Sequence, residues 1–175
     1  MLQTTELSGL RLDLRLMDAG DEAPYCALYC DAQVMRYVGV PLTEAAARRA
    51  FAATLRINAA CCWIPSYWTM LERHSGTRIG LVGLVSGASK EQAELGILIL
   101  PSWQGRGYAA DALSMLMRQA CAATSLSCLH ARHAAGNAAI FSVLTRLGFA
   151  HRLTTAGPPF AHHWELCREQ ALRAW

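Results

Sequence analysis

The sequence predicts an α+β fold, a mixed sheet flanked by helices, and three observations predict it. Stretches in which apolar residues alternate interleave with stretches in which they recur every three to four residues, in the order β-α-α-β-β-β-α-β-α-β-β. One stretch, residues 93–100, is apolar on both faces at its centre, as a strand inside a sheet must be. A glycine-bearing turn then joins that strand directly to a helix pattern.

The elements follow in order. Leu10, Leu12, Leu14 and Leu16 alternate with Arg11, Asp13 and Arg15, a half-buried first strand. Residues 18–21 form a turn and cap, and residues 23–31 a helix that tolerates Pro24 in its first turn. Thr43 caps a second helix that runs to about Asn58. Residues 67–72 and 78–86 form a hairpin through His74, Ser75 and Gly76. The central strand stops at Pro101, and the helix of residues 107–123 sets Leu113, Leu116, Met117 and Ala120 on one stripe. Residues 127–133 form a strand. Residues 137–147 form a helix with Ile140, Val143, Leu144 and Leu147 at core spacing and Gly148 as its left-handed stop. Residues 151–155 and 160–168 close the sheet around Gly157-Pro158-Pro159.

Composition narrows the class. The chain of 175 residues is 53% apolar and 17% charged, which suits a single domain over residues 1–175 with a substantial core. No apolar run approaches a membrane span of roughly 18 residues, and Glu6, Arg11, Asp13 and Arg15 break any secretory pattern. The net charge is +3 and Lys90 is the only lysine. The arginines are scattered without interleaved aromatics, so no nucleic-acid partner is expected. Seven cysteines, an odd count, read as reduced thiols of a cytoplasmic protein. Cys26, Cys121 and Cys128 suit packing, Cys26 and Cys30 stand four apart without completing a metal set, and Cys61-Cys62 suit neither a metal loop nor a disulfide. His162-His163 and His130/Arg132 alternate across their strands, so neither pair makes a two-ligand face, and no metal is expected.

The turn carries the strongest chemical signal. Gln104-Gly105-Arg106-Gly107-Tyr108-Ala109 lies where a buried strand hands over to a helix, which aims backbone N–H groups and the positive end of a helix dipole at one point. That geometry suits a pyrophosphate. Glycine lets the phosphate approach the backbone, and Arg106 adds charge. Downstream stand Asn137, opening a helix, and Gly148-Phe149, closing it.

Together these residues resemble the GNAT superfamily of acyl-CoA-dependent N-acyltransferases, whose Q/R-x-x-G-x-G/A turn is matched by Gln104, Gly107 and Ala109. The front half, with Leu10-Arg11-Leu12, Leu14-Arg15 and the run from Asp31 to Gly39, is similar to the ribosomal-protein N-acetyltransferase branch. The resemblance covers residues 10–168. It implies a layered α/β/α domain with a largely antiparallel sheet whose central strand pair splays, and acetyl-CoA whose pantetheine arm lies in the gap. It further implies a pyrophosphate cradle at Gln104, Gly105, Arg106, Gly107, Tyr108 and Ala109, backbone bonds to pantetheine at Ile97 and Ile99, and a cofactor contact at Asn137, which is also an N-cap in its own right.

The reaction the resemblance implies is direct attack of a primary amine, on a protein N-terminus or a small molecule, upon the thioester. Glu94 at the start of the central strand is the candidate base; a surface carboxylate paired with Lys90 or Arg132 is its plain structural reading. The tyrosine and serine that the family and branch use as acid are Leu144 and Ile140 here, which leaves Tyr108 and His133 as candidate donors. The acceptor site is expected at the loop of residues 32–41, the first two helices and the turn of residues 155–163, with Tyr37, Trp63, Tyr67, Phe160 and His162. Few acidic residues stand there, so a polycationic acceptor is not favoured. A homodimer through sheet edges or helices is open. The rival reading is a non-catalytic acyl-CoA-binding sensor. A dinucleotide oxidoreductase lacks its acidic residue about 20 positions after the turn, near Ala123-Thr124-Ser125.

Overall fold

The computed structural model describes residues 5–60, 64–153 and 161–173. Its strands are β1 (Glu6–Ser8), β2 (Leu12–Leu16), β3 (Ser66–Glu72), β4 (Arg78–Ser86), β5 (Gln92–Ile99), β6 (Cys128–His133), β7 (Ala150–Leu153) and β8 (His162–Cys167). Its helices are α1 (Glu22–Cys30), α2 (Ala32–Met35), α3 (Glu44–Ala59), α4 (Tyr108–Ala123), α5 (Ala138–Arg146) and α6 (Arg168–Arg173). The strands form one eight-stranded sheet in the order β1-β2-β3-β4-β5-β6-β8-β7. Every described pairing is antiparallel except β5 with β6. The expected mixed sheet flanked by helices is therefore present, and among the described residues no helix is long and apolar enough to cross a membrane.

The pleat divides the sheet into two faces. On one, Leu12, Leu14, Trp68, Met70, Val82, Leu84, Ala93, Leu95, Leu129 and Ala131 pack against Leu113, Leu116, Met117 and Ala120, the stripe expected on α4. On the other, Leu81 and Leu98 meet Tyr25, Leu28, Val34, Met35 and Phe51 from α1, α2 and α3. Beside them Asp21 is 1% exposed and bonds Arg15 and Arg78. Burial opposes ionisation of that carboxyl, but the Asp18 amide and the two guanidinium groups outweigh it and hold its pKa below the usual value.

Local chemistry explains most boundaries. Thr43 accepts a bond from the Ala46 amide, Asn137 from the Ile140 amide, and Gly148 ends α5 at φ 82°. Three elements depart from expectation. β1 is a three-residue strand, too short to show a period, and the turn after it leaves Leu10 97% exposed, so β2 begins at Leu12. The segment after Cys30 contains a helix, α2, because Asp31 accepts bonds from the Gln33 and Val34 amides. The chain turns into α6 at Arg168 instead of continuing as strand. The expectations for Cys61-Cys62, Trp63, the Gly157-Pro158-Pro159 turn and Phe160 lie outside the described residues.

Candidate active site

β4 follows β5 from Ala93 to Ile99, but β6 pairs with β5 only from Gln92 to Leu95. Past Leu95, the β6 side of β5 has no partner in that ladder. A cavity of about 310 Å³ opens there, lined by residues 94–98 of β5, by Ala131, Arg132 and His133 of β6, and by Asn137, Ile140 and Leu144. Its floor includes Gly83 and Gly96, which face each other across β4 and β5. A Cβ on Gly83 would lie 2.7 Å from the Tyr67 ring, so glycine there lets that ring lie across the strand. A Cβ on Gly96 would meet nothing within 4 Å.

Three tyrosines complete the wall, Tyr29, Tyr37 and Tyr67. Burial pushes the Tyr29 phenol far above its ordinary pKa, with neighbouring Tyr25 adding to the shift, and burial raises Tyr67 as well. Both remain protonated near neutral pH, as hydrogen-bond donors rather than bases. Tyr37 and Tyr67, expected at the acceptor site, both line this cavity. His162 does not line the cavity; its ring stacks on His133, centroids 4.7 Å apart, and its Nδ1 lies 2.8 Å from His151 Nε2.

The turn begins five residues after Ile99. Gly105 and Gly107 take φ values of 73° and 87°, which an L side chain rarely adopts. Gln104 Nε2 donates to the Ile99 carbonyl at 2.8 Å, tying the turn to the end of β5. Gly107 is the N-cap of α4 and supplies no side chain to cap it. The Arg106 guanidinium lies over the Trp103 ring, 5.0 Å from its centroid. Arg11 also reaches this turn. Its Nη1 donates to the Arg106 carbonyl at 3.0 Å, its Nη2 bonds Asp111 at 2.6 Å, and Nη2 lies 3.0 Å from where a Gly107 Cβ would be. Sequence reasoning missed Arg11, since its place on the polar side of an alternating strand says nothing of which helix end it meets.

Glu94 lines the cavity and its carboxylate is gripped by Arg132, whose Nε bonds both oxygens at 3.1 and 3.0 Å and whose Nη2 lies 2.8 Å from Oε2. The pairing expected of a plain strand-end carboxylate is therefore present. Tyr108 requires a correction. Its side chain packs into the core, edge-on to Trp103 and under the Arg11 guanidinium, and does not line the cavity. As first residue of α4 it faces the core, so only its amide stands at the turn. Ile97 lines the cavity, whereas Ile99 packs against the core and accepts the Gln104 bond. Asn137 lines the cavity while capping α5. Leu144 and Ile140 do face the cavity, so apolar side chains stand where the resembled family carries its acid.

His133 is 4% exposed, and its Nδ1 lies 2.9 Å from the Ala134 carbonyl. A carbonyl can only accept, so Nδ1 carries the proton and Nε2 presents a lone pair. That Nε2 is buried without a hydrogen-bond partner. Burial pushes the imidazole below its ordinary pKa, against the opposing bond to Ala134, with His162 and His151 adding to the depression. In this tautomer Nε2 carries no proton to donate, although a donor is what the sequence expects of His133.

The sequence expectation concerned pairs within one strand, His162 with His163 and His130 with Arg132; β6 and β8 lying side by side bring together a different set. His130 is paired with Glu165 and Arg132 with His163, and His130, His163 and Glu165 bring their donor atoms within 4.8 Å of one another. Burial, then the charge of His163, lowers the pKa of His130.

Residues 11–150 match the family model of the acetyltransferase (GNAT) domain. No curated protein matches the chain significantly. Among solved structures, a GNAT-family acetyltransferase from Bacillus anthracis superposes with a TM-score of 0.81 at 16% identity, over 94% of this chain and 99% of that one. A ribosomal L7/L12 α-N-protein acetyltransferase in complex with coenzyme A gives 0.78 at 12% identity, over 93% and 97%. The spermidine N-acetyltransferase of Vibrio cholerae, in complex with CoA and spermine, gives 0.76 at 19%, over 93% and 98%. At these identities the structures establish a shared fold.

Proposed function

The chain belongs to the GNAT acetyltransferase family, and from that premise we propose that it transfers the acetyl group of acetyl-CoA to a primary amine by direct attack in a ternary complex. The observation that carries this reading is the parting of β5 from β6 after Leu95 above a cavity, followed by a left-handed glycine turn at the start of α4. The backbone of Ile97, on the side of β5 that β6 leaves, suits the amide groups of pantetheine, while the Ile99 carbonyl is held by Gln104. The Gly105 and Gly107 turn, with the amides of Tyr108 and Ala109 and the charges of Arg106 and Arg11, suits the pyrophosphate. Asn137 stands where it can meet the arm between them. The two CoA-bound structures named above support the same ligand class.

The amine nitrogen attacks the thioester carbonyl carbon, the C–N bond forms, the C–S bond breaks and CoA leaves as thiolate. An ammonium must first lose a proton. Two groups lining the cavity are candidates to take it, Glu94, whose two oxygens Arg132 holds, and His133, whose Nε2 has no partner but is buried. With Leu144 and Ile140 on the wall, the thiolate takes its proton from water, a modest demand since thiols ionise near pH 8.5.

The acceptor enters past Tyr37 and Tyr67. Among the described cavity-lining residues Glu94 is the one carboxylate, which favours a single amine, at a protein N-terminus or on a small molecule, over a polycation. The test is release of free CoA from acetyl-CoA against a panel of amines and peptides, with the acetylated product read by mass spectrometry. Turnover with at least one primary amine is expected. Tight acetyl-CoA binding without turnover on any acceptor would leave a binding module, and absence of binding would defeat the whole reading.

A further inference from the structure

We propose that His130, His163 and Glu165 form a binding site for one zinc-class divalent ion that ties β6 to β8. The site is separate from the cleft, since none of the three lines the cavity. It is built by strand pairing. Alternation puts His163 and Glu165 on one side of β8, with Trp164 on the other, and the register sets His130 opposite Glu165.

The distances fit an ion. His130 Nδ1 lies 2.9 Å from His163 Nε2 and 4.0 Å from Glu165 Oε1, and all three donors fall within 4.8 Å. Zinc bonds of about 2.0–2.1 Å in tetrahedral geometry put ligand atoms about 3.3 Å apart, so side-chain shifts of well under an ångström or two suffice. Two imidazoles and a carboxylate select zinc and its neighbours over magnesium or calcium, which prefer oxygen. The side chains of His130 and Glu165 are 14% and 34% exposed, which leaves a fourth position for water.

The surroundings hold the ligands in place. Arg152 Nε bonds Glu165 Oε2 at 3.1 Å, so the other oxygen, Oε1, is the one turned toward His130. An outer partner that orients a ligating carboxylate is a recurrent feature of metal sites. The other arginine on this face, Arg132, is engaged by Glu94. His130 Nδ1, the nitrogen that already faces His163 and Glu165, is the one that would meet the ion. Cys128 and Cys167 face each other two residues along the same pair of strands.

The experiment uses the full chain, stripped with a chelator and titrated with Zn²⁺ by calorimetry and with Co²⁺ by visible absorption, together with thermal unfolding. One ion per chain is expected, with a zinc-dependent rise in Tm and cobalt bands of four-coordinate intensity. His163→Ala and the near-isosteric Glu165→Gln should each weaken binding by at least about tenfold and remove the rise in Tm, with circular dichroism confirming the fold. A double variant, Cys128→Ser with Cys167→Ser, should bind as wild type. Failure of the wild type to bind, binding unchanged in both ligand variants, or binding lost in the cysteine variant would each overturn the assignment.

Discussion

Gly96→Val is expected to make the protein more stable and less active at once. Gly96 sits inside β5 and lines the cavity floor, and a Cβ there meets nothing within 4 Å. Its φ is not in the left-handed region, so valine fits the backbone. Glycine inside a strand costs roughly 0.5–1 kcal/mol relative to alanine, and valine is a better strand former on a scale spanning ~1 kcal/mol. The net gain is on the order of 1 kcal/mol, which for a chain of this length raises Tm by about 2–4 °C. The added methyls project into the cavity, where the thioester and amine must meet, and misplacing reactants by an ångström costs on the order of 10²-fold. The assays are thermal unfolding and CoA release with an acceptor found by screening. A lower Tm would refute the packing argument. Unchanged turnover at a raised Tm would refute the placement of the reaction over Gly96.

Other variants test the remaining contacts. Gly107→Val forces a β-branched residue to φ 87° and against Arg11, so calorimetry should show weaker CoA binding and unfolding a loss of about 1–3 kcal/mol, while Gly107→Asn, which tolerates that conformation, should recover most of the stability. Arg11→Ala breaks an ion pair whose side chains are 51% and 37% exposed, so stability should fall by no more than about 1 kcal/mol while CoA affinity falls clearly, and equal affinity would remove Arg11 from the phosphate site. Glu94→Gln should leave CoA affinity unchanged; a turnover loss confined to low pH would make Glu94 the base in place of His133. The folded state holds the His133 pKa below its unfolded value of about 6.5, so the unfolded chain binds more protons there; stability from this group is complete above pH 6.5 and is lost as pH falls toward the folded value. Urea midpoints at pH 7.5 and 5.5 should therefore diverge less in His133→Gln than in wild type, with His151 and His162, which face the same ring, left in place.

Patterns set by nearest neighbours along the chain were legible in the sequence. The glycine turn, the caps at Thr43 and Asn137, the stripe on α4 and the hairpin of β3 and β4 all depend on residues a few positions apart, and the structure has each of them. What the sequence leaves open depends on which elements lie beside one another. His130 and His163 are 33 positions apart, and only the β6–β8 register makes them neighbours. Arg11 meets Asp111 across 100 positions for the same reason. Tyr108 was misjudged differently: nearness to a functional turn suggested a functional side chain, whereas a helix's first residue can point its amide at the turn and its ring into the core. Gly83 and Gly96 carried a faint signal, as two glycines inside otherwise apolar strands, but a glycine in a strand signals close approach without saying of what.

The short parallel contact between β5 and β6 also governs how this sheet could break. β1 through β5 form one antiparallel plate and β6, β8 and β7 another, and the plates share a ladder only from Gln92 to Leu95. α4 lies beneath the joint like a beam, its Leu113, Leu116 and Met117 packed in the same core as Leu95 of one plate and Ala131 of the other. Under load the molecule would part along that line, and the line is the mouth of the cavity. The joint of the two plates and the mouth of the cavity are thus one place, held by a four-residue ladder and by the α4 side chains packed across both plates.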